Sequence, residues 1–129
     1  MSAPPIPSLR PTAEELLDAV REHLVQRVLP AVSDPTLRFQ TLVAAHVLGV
    51  VSRDLEGGEA ARALVARERQ RLLGHDGDDG VLCASIEAGG FDTPEAAAQL
   101  RAHLAHRTEL ALLAWNPAFL ARVKAAPAP

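Results

Sequence analysis

The amino-acid sequence predicts an all-α protein, an up-and-down helical bundle of about five helices with a short C-terminal helical turn. Three observations lead there. Alanine and leucine supply most of a 48% hydrophobic share, a mix of high helix propensity, and valine-rich alternation is nearly absent. Aromatic residues are only 3% of the chain and tyrosine is missing, so the core should be aliphatic. Capping side chains recur before apolar runs, and glycines recur after them.

At 129 residues, one domain is the simplest organisation, large enough to bury roughly two-thirds of its unfolded surface. Residues 1–10 and 124–129, rich in proline and alanine, are expected to be disordered tails flanking a domain over 11–123. The first helix opens on a capping-box pattern, Thr12 with Glu15, and Leu17, Val20, Leu24 and Val28 follow at helical spacing. Pro30 should close it. Asp34-Pro35, Thr93-Pro94 and Asn116-Pro117 each place a capping side chain before a proline that suits the first helical position.

A second helix is expected from about Pro35 to Leu55, ending at Gly57-Gly58, and a third from Glu59 to Leu73, stopped by Gly74. The polar loop HDGDDG precedes a short helix near Val81–Ala88, closed by Gly89-Gly90. The next spans Pro94 to Trp115, with Ala97, Leu100, Leu104, Ala111 and Trp115 on one face. A last turn or two should bring Phe119, Leu120 and Val123 back to the core. Short connections imply antiparallel neighbours.

The second helix is apolar on two opposite faces, as a central bundle helix would be. Phe39, Val43, Val47 and Val50 face one way, and Ala44, Leu48, Val51 and Leu55 the other. A third strip carries Leu42, His46, Gly49 and Arg53. Glycine inside a helix costs about 1 kcal/mol relative to alanine, which suggests a close backbone approach at Gly49. The approaching element is either another helix of the same chain or a docked partner or anionic ligand at His46, Gly49 and Arg53.

A net charge of −3 without a basic face argues against nucleic acid. The lone cysteine, Cys83, excludes a disulfide framework and is read as core. With no signal-peptide pattern and no membrane-length apolar run, a cytoplasmic protein is expected. Asp76, Asp78 and Glu87 sit where an EF-hand would place ligands, but Gly80 and Val81 occupy positions that motif needs for an oxygen ligand and glycine. An acidic loop capping the next helix is the expectation instead. His103, His106 and Glu109 fall short of a zinc site and are read as solvated. Arg62, Arg67, Arg69 and Arg71 make this stretch basic; a solvated face diluted by Glu59 and Glu68 is the default reading, and a contact for phosphate groups of a nucleotide-like ligand is the alternative. No metal or other cofactor is expected and no catalytic residue is assigned.

Three stretches carry a resemblance: PTAEELLDAVREHL, RFQTLVAAHVLGVVSRDLEGG and NPAFL. Over residues 10–121 the chain resembles a bacterial family of small helical proteins encoded beside aminoglycoside-phosphotransferase-like kinases and acyl-CoA dehydrogenases. Part of that family is similar to the accessory subunit of a kinase phosphorylating 4-hydroxyacyl-CoA thioesters. The resemblance implies a non-catalytic subunit whose partner is such a kinase; it transfers no site residues. A binder of the acyl or pantetheine portion of a CoA thioester is an alternative, as is an enzyme using His46 and Arg53. Self-association into a homodimer also stays open.

Overall fold

The computed structural model describes residues 10–128. Among them the chain is mostly helical and without strands: α1 (Ala13–His23), α2 (Pro35–Leu73), α3 (Asp79–Glu87), α4 (Pro94–Trp115) and α5 (Pro117–Ala125). The all-α class is therefore as expected. The expected N-terminal tail lies outside the described residues except for Arg10, and α5 runs on into the segment read as the C-terminal tail. No helix among the described residues is long and apolar enough to cross a membrane.

Each expected cap forms. The Glu15 N–H donates to Thr12 Oγ1 at 3.2 Å while the Thr12 N–H donates to Glu15 Oε2 at 2.8 Å, the reciprocal pair of a capping box. Asp34 Oδ2 accepts from the Leu37 N–H at 2.8 Å, Thr93 Oγ1 from Ala96 at 3.2 Å and Asn116 Oδ1 from Phe119 at 3.0 Å. Asp78 caps α3 by accepting from the Val81 N–H at 3.0 Å, the role expected of the acidic loop. Each cap satisfies a donor that the helix start leaves open, worth about 1 kcal/mol.

The first helical segment ends at Ala31, beside Pro30 as expected, but it does not stay α-helical to its end. The chain widens into a π-helical stretch, Leu24–Val28, and then makes one more α turn, Leu29–Ala31. Proline lacks an N–H and its ring crowds the carbonyl four residues back. The wider register, in which the Leu29 N–H donates to Leu24 O, accommodates that defect. Arg38 then closes the segment, its Nη1 donating to Leu29 O at 2.6 Å and to Val32 O at 3.0 Å.

A larger correction concerns Gly57-Gly58. The expected second and third helices are one helix of 39 residues, so no antiparallel turn forms there. Glycine stops a helix when it takes up a left-handed conformation, as Gly74 (φ 77°) and Gly89 (φ 84°) do. Gly57 and Gly58 keep helical hydrogen bonding between strong helix formers, Leu55-Glu56 and Glu59-Ala60-Ala61.

The helices gather into two compact units, divided between Glu56 and Gly57. In the first, the buried positions of α2 are small: Ala45, Gly49 and Ser52. In the second, Leu82, Phe91 and Leu120 are buried together with one polar residue, His103. The apolar face expected on α4 is not its buried face. Leu104 is 41% exposed and Trp115 66%, and on α5 only Leu120 is buried while Phe119 and Val123 are exposed. Cys83 is exposed rather than core, because nine-residue α3 turns Leu82 inward and its neighbour outward.

Candidate functional site

The strip on α2 divides when its surroundings are known. His46 is exposed, Gly49 buried and Arg53 half-buried. A Cβ placed on Gly49 would meet Arg53 Nη1 at 3.2 Å and Arg21 Cδ, from α1, at 3.6 Å. The glycine makes room for two arginine side chains, and no backbone is among its nearest neighbours. Gly49 and Arg53 thus belong to one groove, and His46 stands apart on the surface.

The basic face divides as well. Arg62 and Arg67 are exposed, whereas Arg69 is held inside the second unit. Its Nε donates to Gly77 O at 2.7 Å and its Nη1 to Asp79 Oδ1 at 3.0 Å. Arg107 from α4 grips the same carboxylate with both nitrogens, at 3.0 Å and 3.1 Å. Two guanidinium groups on one carboxylate, a fork-on-fork pair included, tie α2, α3 and α4 together. The hydrogen bond from Arg107, reinforced by the charge of both arginines, holds the Asp79 carboxyl below the usual carboxylate range despite its partial desolvation. Arg69 is therefore structural rather than part of a solvated face, and its guanidinium is engaged by Asp79 and Gly77.

Arg71 leads to a second convergence of polar groups. It lines a cavity of about 580 Å³ with Glu68 and Leu72 of α2 and Gln99, Ala102, His103 and His106 of α4. Glu68 bridges both histidines: Oε2 lies 3.2 Å from His103 Nδ1 and Oε1 lies 2.6 Å from His106 Nδ1. Burial would push the Glu68 carboxyl up, but hydrogen bonds from His106 and His103, and their charge, bring it below its ordinary value. An ionised Glu68 accepts from both rings, which puts a proton on each Nδ1. His103 Nε2 is buried and has no hydrogen-bond partner.

This overturns the solvated reading for His103, while the His106 and Glu109 side chains stay 39% and 46% exposed. The His103 side chain is 3% exposed, and its partner is Glu68 rather than Glu109, which pairs with Lys124 at 3.1 Å. Glu68 counted in the sequence only as a charge diluting the basic face. The one sequence signal was the spacing: Gln99, His103 and His106 share a face at helical intervals. Among the described residues no three histidine, cysteine, aspartate or glutamate side chains group as a metal site.

A protein-family model, a domain of unknown function (DUF6285), matches residues 30–119. The chain belongs to this family. The DUF6285 match takes in α2, α3, α4 and every residue lining the cavity, while α1 lies outside it. No curated protein and no solved structure matches the chain.

Proposed function

We propose that this DUF6285 protein is a non-catalytic accessory subunit that binds, and activates or stabilises, an aminoglycoside-phosphotransferase-like kinase acting on hydroxyacyl-CoA. One observation carries the reading. Phe39, Val43, Val47, Val51 and Leu55 follow one another at intervals of four on α2, and all five are exposed. At about 1.5 Å per residue they make an apolar ridge on the order of 24 Å long that winds partway round the helix, from the face of Phe39 to that of Leu55. A contiguous apolar surface of that extent is what an interaction site looks like, since soluble chains otherwise keep such surfaces small. The identity of the partner rests on the resemblance carried by the three sequence stretches. ATP, magnesium and phosphoryl transfer belong to the kinase.

Co-expression of the chain with an aminoglycoside-phosphotransferase-like kinase from the same host tests this. Co-elution on size exclusion and faster phosphorylation of a 4-hydroxyacyl-CoA than by kinase alone are expected, with both lost in Val43→Glu/Val47→Glu. A kinase that is stable and fully active alone, and never co-elutes, would overturn the proposal.

A further inference from the structure

Each of the two compact units is one unbroken piece of chain, so the only covalent link between them is the Glu56–Gly57 peptide inside α2. On either side of that peptide the helix is tied into its own unit. Upstream, Ala45, Gly49 and Ser52 are buried, and Arg38 donates to Leu29 O and Val32 O. Downstream, Glu68 holds His103 and His106, and Arg69 is fixed by Gly77 and Asp79.

The link falls on the pair of residues least able to keep a helix closed. Each glycine shifts the local helix equilibrium about fivefold towards opening relative to alanine, so Gly57 and Gly58 together contribute roughly twentyfold. The division between the units is a matter of packing and the glycine pair a matter of sequence, yet the two coincide at one peptide. Asp54–Gly57, Glu59 and Ala60 are exposed, so water reaches the N–H and C=O groups that a bend releases. Gly58 is buried, whereas Gly57 is exposed and a Cβ added to it would meet nothing within 4 Å. The pivot therefore falls on Gly57. We propose that α2 is hinged at Gly57, and that the two units turn about this point as bodies while the helix on either side stays intact. Helices kink at glycine pairs, and a hinge confines a large backbone change to a few residues. The device separates the exposed ridge, which lies wholly upstream, from the cavity and the Asp79 tie downstream. Either unit can be re-aimed without breaking its own packing.

Amide hydrogen exchange on the full chain at neutral pH tests this. Protection of amides 57–62, corrected for sequence, should be about tenfold or more below that of amides 45–52 and 64–71 of the same helix. Gly57→Ala should raise it about fivefold and leave the flanking turns unchanged. Pulsed electron spin resonance reads the orientation, with nitroxide labels on the exposed native Cys83 and on His46→Cys, an exposed position in the other unit. A broad distance distribution is expected, narrowed by Gly57→Ala. Circular dichroism checks the fold of each variant, and if His46→Cys is not folded, exchange in the wild type decides. The proposal fails if protection is uniform along α2, or if the folded Gly57→Ala variant leaves the distance distribution as it was.

Discussion

Glu68 and Asp79 each hold two cationic or protonatable partners, and each therefore links folding to pH. Both carboxyls are lowered in the folded chain. The unfolded chain then binds more protons than the folded one near and below pH ~4, and stability is lost as pH falls through the lowered values. Their contribution should be fully present above that range. Thermal melts followed from neutral pH down to about pH 3 should show an acid-side decline. Asp79→Asn should make the decline shallower while lowering the melting temperature at neutral pH. A wild-type melting temperature that stays flat on acidification would show that neither pairing contributes. Gly49 gives a second residue-scale expectation. Its nearest neighbours are the flexible ends of Arg53 and Arg21, which can yield to a methyl group. Gly49→Ala should then be neutral or raise stability by up to about 1 kcal/mol through helix propensity. A fall in the urea midpoint would mean that the groove is tighter than the arginines suggest.

At the scale of the element, the continuity of α2 is set against its weakest point. Nothing lies within 4 Å of a Cβ placed on Gly57, so Gly57→Ala should recover about 0.5–1 kcal/mol of helix propensity, read as a higher urea midpoint with unchanged helicity. The helix starts were legible in the sequence because a cap is a contact between residues three apart, and Thr12, Asp34, Thr93 and Asn116 carry it locally. The stop at Gly57-Gly58 was misread because composition alone does not separate a glycine that turns left-handed from one that stays helical. The candidate site was less legible still. His103 pairs with a carboxylate 35 positions away, and no local periodicity encodes a partner that distant. Leu104 and Trp115 drew attention to the wrong side of α4 because hydrophobicity was the only signal on its surface.

For the molecule as a whole, the exposed row from Phe39 to Leu55 should answer to charge placed on it. Val43→Glu/Val47→Glu places charge on an already solvated face, so the free chain should keep its melting temperature within a few degrees, as surface changes usually do. The cost should appear in kinase binding alone.

Trp115, two-thirds exposed at the end of α4, has an optical consequence. It is the chain's one tryptophan, and there is no tyrosine, so near-ultraviolet emission comes almost wholly from a single indole already in water. Unfolding should barely move that emission, and a fluorescence melt would miss a transition that circular dichroism sees. Any macromolecule that covers this end of α4 should instead shift the emission to the blue, without a label.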